Sequence, residues 1–174
     1  MKKKNNIILI GFMGVGKGTV ARALYEETGL FAIDCDDMIQ SIANMKIKKI
    51  FEKFGEEHFR KLEKNLANFL LNGVDNAIIS TGGGFYKVEN LNELGTVVYL
   101  KAEFDYIIKR LENSKNASAK FKKRPLLLNL QNAKKIHQER DPLYEAKADF
   151  VVNVENKTPK EIVKEIKTLI KDKI

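Results

Sequence analysis

The sequence predicts an α/β fold in which a parallel sheet is wrapped by helices. Five short β-rich runs alternate with longer helical stretches. The runs are near-continuously apolar rather than alternating, as strands buried on both faces are. The first run also leads through a glycine-rich turn straight into a helix. Length and composition agree: 174 residues, 44% hydrophobic and 31% charged, suit one globular domain spanning 1–174. No repeat and no Gly-, Pro- or Ser-rich linker divides the chain.

The first run is Asn6–Gly11. With Met1-Lys2-Lys3-Lys4 ahead of it, Ile7 to Met13 superficially resembles a secretion signal. Gly11 and Gly14 break the apolar stretch, Lys17 and Arg22 follow, and no small-residue cleavage pattern is present, so that reading is rejected. No stretch approaches the roughly 18 apolar residues that span a membrane.

Gly11-Phe-Met-Gly14-Val15-Gly16-Lys17-Gly18-Thr19 has the Walker A spacing, four residues between Gly11 and Gly16 and then Lys. Glycines let a backbone turn bring N–H groups to phosphate oxygens, and the following helix points its positive end at the anion. Lys17 adds a point charge at the β- and γ-phosphates. Gly14 to Thr19 are thus candidates for ATP binding; the bland alternative is a turn that binds nothing. Where Walker A normally has a Mg²⁺-ligating Ser or Thr, this chain has Gly18, and the hydroxyl falls one residue later at Thr19. Mg²⁺ is still expected, carried on phosphates, water and an acidic residue.

The second run, Leu30–Asp34, ends in Asp34-Cys35-Asp36. Residues two apart on an extended segment point the same way, so both carboxylates can face the crevice at the strand ends. One could hold Mg²⁺ through water and the other accept a proton from an attacking hydroxyl. Alternatively, Asp34, Asp36 and Asp37 serve only the dipole of the next helix. Cys35, the single cysteine, excludes an internal disulfide, fits a reducing cytoplasm, and is read as a small strand or loop residue.

Helical periodicity follows. Ile47, Ile50, Phe51 and Phe54 form one stripe, and Phe59, Leu62, Leu66, Phe69 and Leu70 another; both are expected in the core. The third run, Ala77–Thr81, leads into Gly82-Gly83-Gly84, and the fourth is Thr96–Leu100. Asn113 to Lys123 is polar, basic and aperiodic, which predicts a surface loop. The fifth run is Phe150–Val154. Thr158-Pro159-Lys160-Glu161 is a capping box opening a last helix with Ile162, Ile166, Leu169 and Ile170 inward. His58 and His137 are expected at the surface.

Net charge is +8, which favours anionic partners. Much of the lysine lies at the ends and in one loop rather than on a helix with interleaved aromatics, so no nucleic-acid partner is expected.

Several segments together resemble the shikimate kinases: Asp34-x-Asp36 at its distance from the glycine loop; Phe54-Gly55-Glu56-Glu57-His58-Phe59-Arg60-Lys61-Leu62-Glu63; Ser80-Thr81-Gly82-Gly83-Gly84; Arg124-Pro125-Leu126-Leu127; and Glu139-Arg140-Asp141-Pro142-Leu143-Tyr144. They run in that family's order over nearly the whole chain. The resemblance implies a three-layer α/β/α P-loop NTPase fold, strand order 2-3-1-4-5, a mobile lid at about 112–125 and a shikimate-binding helical region at about 36–63. It implies ATP-dependent phosphorylation of the shikimate 3-hydroxyl, in the route to chorismate and the aromatic amino acids. Asp36, Arg60, Gly82, Gly83, Gly84 and Arg140 would then bind shikimate, with Asp36 as base and the two arginines on the carboxylate. Asp34 would meet Mg²⁺ through water. Arg124 would reach the ATP phosphates, joining Lys17 and Asp36 in catalysis, and Arg110 would lie against the adenine. The 13 residues between Arg110 and Arg124 exceed the family's usual lid. A cytoplasmic monomer whose partners are ATP and shikimate is expected, with no membrane partner. Gly-Lys-Gly-Thr resembles adenylate kinases, so a nucleoside monophosphate kinase is the nearest rival, and a non-enzymatic polyanion-binding module the more distant one.

Overall fold

The computed structural model describes residues 3–122 and 124–171; Met1, Lys2 and Lys123, which entered the sequence reading, lie outside the described residues. The chain runs β1 (Ile7–Ile10), α1 (Lys17–Thr28), β2 (Ala32–Asp34), α2 (Cys35–Ala43), α3 (Ile47–Gly73), β3 (Ile78–Ser80), β4 (Thr96–Lys101), α4 (Phe104–Glu112), α5 (Ala117–Lys122), α6 (Leu130–Lys147), β5 (Phe150–Asn153) and α7 (Pro159–Ile170). The five strands form one parallel sheet in the order β2-β3-β1-β4-β5. Ile7 sits opposite both Ile78 and Thr96, which fixes the central register.

Every residue of β1 and all but the last of β4 are buried, so helices cover the sheet on both faces. The edge strands depart from that expectation. Residues of β2 are half-buried or exposed and Val151 of β5 is exposed, because the strand order puts them at the two rims. Because all five strands are parallel, their carboxyl ends lie on the same side of the sheet, and the site is built there.

The stripes of α3 are core at Ile50, Phe59, Leu66 and Leu70, but Phe54 and Phe69 are exposed (48% and 54%). Gly55 interrupts α3 with a left-handed φ of 80°. The helical period restarts there, and Phe54 is turned outward onto His58, ring centroids 4.7 Å apart. Phe69 lies at the margin of its stripe. The last helix matches the sequence closely: the Thr158 and Glu161 side chains cap each other's backbone N–H groups, and Ile162, Ile166 and Ile170 are buried. Leu169 is 37% exposed, at the edge of that face.

Three local expectations are corrected. Asn113–Lys123 is not simply a loop, since it contains α5. Six residues are too few to show an apolar period, and the lone aromatic, Phe121, packs against the core. His137 is buried, with Nε2 3.0 Å from the Ala102 carbonyl oxygen and its ring edge-on to Phe12 and Phe104; His58 is exposed as expected. Cys35 is a buried first residue of α2 rather than a strand or loop residue.

Candidate functional site

The phosphate loop joins β1 to α1. Gly16 precedes α1 in the left-handed region, φ 108°, and no side chain caps the helix. The first turn of α1 carries no acidic residue, so its positive end is left for an anion. Lys17 is buried, and its ammonium donates to the Gly11 and Phe12 carbonyl oxygens at 2.7 and 3.2 Å. Burial lowers its pKa to about 8, against the opposing pull of the Asp36 and Asp34 carboxylates. Val15 buries its side chain in the core, so only its main chain can face a ligand. Thr19 is exposed. Gly18 is open: a Cβ there would stand 3.7 Å from Arg22 Nη1 and 3.8 Å from Asp34 Oδ2.

Arg110, on α4, donates to the Gly14 carbonyl and lies against Gly16, where an added Cβ would come within 2.8 Å of Nη1. Arg124 donates to the Lys120 carbonyl at 2.6 Å, the C-terminal turn of α5. Burial, and after it the charge of Arg110, lowers the Arg124 pKa from its ordinary value. Its charge is felt at Lys17 and at Asp36.

Asp34 and Asp36 both reach the crevice, but not for the reason that strand spacing gives. Asp34 is the N-cap of α2: Oδ1 accepts from the Asp36 and Asp37 N–H groups at 3.0 and 3.2 Å. Oδ2 accepts from Ser80 Oγ at 3.1 Å and faces Gly18. Asp36 lies inside the first turn of α2, not on an extended segment. Burial, then the neighbouring Asp34, raises its carboxyl to about 6, while Lys17 opposes.

The loop after β3 gathers the rest. Gly82, Gly83 and Gly84 are absent from the residues with left-handed φ. What Gly82 and Gly84 supply is space for polar neighbours, whereas a side chain on Gly83 would meet only ordinary contacts. A Cβ on Gly82 would stand 2.6 Å from Asp36 Oδ1 and 3.3 Å from Glu63 Oε1. On Gly83 it would lie 3.8 Å from both Arg140 Nη1 and the Tyr144 hydroxyl, and 3.6 Å from the Met13 nitrogen. On Gly84 it would collide with the Arg60 guanidinium. The glycine loop therefore abuts the phosphate loop at Met13, with an acid and two guanidiniums around it.

Arg60 makes both helix pairings that the sequence allows, to Glu56 at 2.7 Å and Glu63 at 2.5 Å, and still presses on Gly84. Arg140 donates to the Gly83 carbonyl at 3.1 Å. It lies within α6, which continues through Pro142 to Lys147, so it is not a helix-end residue serving the dipole.

Two residues of the site escape sequence reasoning. Glu63 is buried at 2% exposure, and its Oε1 has no partner among the described residues. Burial raises its pKa although Arg60 opposes. Its place three residues after Arg60 was a signal, but that spacing reads equally well as a surface ion pair. Tyr144 donates to the Gly83 carbonyl at 2.6 Å from a fully buried ring.

Among the described residues no group of three or more His, Cys, Asp or Glu side chains could hold a metal ion. Asp34 Oδ2, which faces Gly18 and accepts from Ser80 Oγ, is a carboxylate oxygen beside the phosphate loop of the kind that can meet a magnesium ion through water. No described helix is long and apolar enough to cross a membrane.

The shikimate kinase family model matches residues 13–171. The shikimate kinase of Sulfurihydrogenibium sp. (strain YO3AOP1) is 37% identical over 171 residues, covering 95% of this chain and 98% of that protein. That of Helicobacter hepaticus is 36% identical over 148 residues, covering 85% and 86%. Among solved structures, shikimate kinase from Acinetobacter baumannii in complex with shikimate superposes with a TM-score of 0.86 at 30% identity, covering 99% of this chain and 97% of that one. Shikimate kinase from Aquifex aeolicus gives 0.77 at 37% identity, covering 95% and 96%.

Proposed function

The chain belongs to the shikimate kinase family, and from that premise we propose how its own residues carry the transfer of a phosphoryl group from ATP to the 3-hydroxyl of shikimate. The α1 N-terminus and the backbone from Gly14 to Thr19 hold the polyphosphate, with Lys17 neutralising charge at the β- and γ-phosphates. Arg124 meets the transferring group as α5 closes over it, excluding the water that would otherwise compete as acceptor. Arg110 lies at the nucleotide end of the same loop. Mg²⁺, when bound, shields the phosphate charge; Asp34 Oδ2, held by Ser80, would hold it through water.

Shikimate is a polyol carboxylate. Arg60 and Arg140 bind its carboxylate, and Gly82 to Gly84 form the floor against its ring. Asp36 accepts hydrogen bonds from the ring hydroxyls. The 3-hydroxyl oxygen attacks the γ-phosphorus, the bond to the β,γ-bridging oxygen breaks, ADP leaves with that electron pair, and the hydroxyl proton passes to Asp36. A carboxyl titrating near 6 is ionised at neutral pH and ready for that proton.

One observation carries the reading: Asp36, Arg60 and Arg140 converge on three consecutive glycines that touch the phosphate loop at Met13. That a relative holds shikimate supports it. An ATP-rich, reducing cytoplasm, with Cys35 as a free thiol, suits the substrate pair. The test is a coupled ADP-release assay with one acceptor at a time. ADP should form with shikimate and not with AMP or CMP. Release driven by AMP or CMP, with none from shikimate, would return the chain to the nucleotide kinases.

A further inference from the structure

Tyr144 takes no part in the chemistry above, yet it is tied to the acceptor floor more tightly than any arginine. Its hydroxyl donates to the Gly83 carbonyl at 2.6 Å; Arg140, one turn earlier on the same face of α6, donates to that same oxygen at 3.1 Å. The ring is fixed on two sides. Tyr86, in the turn that follows the glycine loop, meets it edge-on at 4.9 Å, and Tyr99 lies at 5.1 Å with its own hydroxyl donating to Asp141 at 2.6 Å. Burial pushes the Tyr144 hydroxyl up to about 12, so it keeps its donor proton throughout the working pH range.

The Gly83 carbonyl thus has two donors, of which one has other work. Arg140 is also the proposed partner of the acceptor carboxylate, and any swing of its guanidinium toward that anion lengthens its bond to Gly83. Even a half-buried carbonyl left unpaired is costly. We propose that Tyr144 is a positioning residue for the acceptor: its hydroxyl keeps the Gly83 carbonyl paired while Arg140 engages the substrate carboxylate, so the glycine loop holds one shape in the free and the loaded enzyme. The peptide that begins at this carbonyl ends at the N–H of Gly84, against which Arg60 packs. A fixed Gly83 oxygen therefore also fixes the Gly84 backbone against which Arg60 packs. The inference rests on the shikimate reading of the site.

Tyr144→Phe tests it, because it removes only the hydroxyl and keeps the ring stacked on Tyr86 and Tyr99. The KM for shikimate should rise about tenfold, the size of one lost hydrogen bond, with its calorimetric Kd rising alike. The KM for ATP and the melting temperature should stay near wild type. Equal losses for both ligands together with a lower melting temperature, or no change in the shikimate constants, would overturn it. Wild-type turnover of shikimate is measured in the same series. Its absence would sink the proposed function and this inference together; its presence beside an unaltered variant would sink this inference alone.

Discussion

Two glycine loops, one after β1 and one after β3, look alike as sequence and serve opposite physical needs. In the first, Gly11, Gly14 and Gly16 adopt φ of 141°, 86° and 108°, conformations that side chains rarely tolerate. The backbone itself is the binding device there. In the second, Gly82 to Gly84 adopt no such conformation; Gly82 and Gly84 supply room for Asp36 and Arg60, and Gly83 presents its carbonyl to Arg140 and Tyr144. A glycine run therefore has two distinct meanings: an unusual backbone path, or a close approach by neighbouring side chains.

The largest expected effect is at the acceptor loop. Asp36→Asn keeps the shape beside Gly82 and removes the proton acceptor. It should lower kcat by a factor on the order of 10³, within the range for a lost general base, while ATP binding persists. Phosphoryl transfer to shikimate at near wild-type rate would remove Asp36 from the chemistry.

The pH profile sharpens the contrast, because one limb comes from a group at each loop, Asp36 beside Gly82 and Lys17 after Gly16. Asp36 titrates near 6 and must be ionised, so kcat/KM for shikimate should fall as pH drops through about 6. Lys17 titrates near 8 in the free enzyme and must be protonated, so kcat/KM for ATP should fall as pH rises through about 8. Asp34 raises the Asp36 pKa and also supports the Lys17 charge. In Asp34→Asn, whose activity is expected to be reduced, both limbs should move to lower pH. Limbs that stay in place would mean that other groups titrate.

Gly18 belongs to neither class, having ordinary φ and no neighbour closer than 3.7 Å to an added Cβ. Gly18→Ser should fold normally. Its hydroxyl would stand beside Asp34 Oδ2, so the Mg²⁺ concentration for half-maximal rate should fall a few-fold. An unchanged Mg²⁺ requirement would place the cation away from Asp34.

Much of this was legible in the sequence, and the failures have physical causes. The five runs became the five strands, with ends shifted by at most two residues; in β1, β3 and β4 their apolar continuity reflects burial between helices. The capping box was legible because its bonds are local. The Asp34–Asp36 pair was found by an argument the structure does not support: a helix begins at Cys35, and Asp34 is also its cap. The Gly82–Gly84 run was noticed, but not its reason, since the neighbours that need the space lie 46 and 24 residues away in the chain, at Asp36 and Arg60. Glu63 and Tyr144 stayed hidden for the same reason: burial and a shared carbonyl are tertiary facts. His137 was misread because a histidine can be buried among aromatic rings once a single carbonyl meets its nitrogen.

The most direct test of the two-loop account is calorimetric titration of each ligand into Gly84→Ala and Gly16→Ala. In Gly84→Ala the collision is with the tip of the Arg60 side chain, which can swing aside, so the fold and ATP binding should survive while shikimate affinity falls about 100-fold, the scale of a lost charged contact. In Gly16→Ala the backbone itself is strained, so ATP affinity should fall and shikimate binding persist. Unaltered shikimate affinity in Gly84→Ala would contradict the claim that this glycine makes room for the arginine that binds the acceptor.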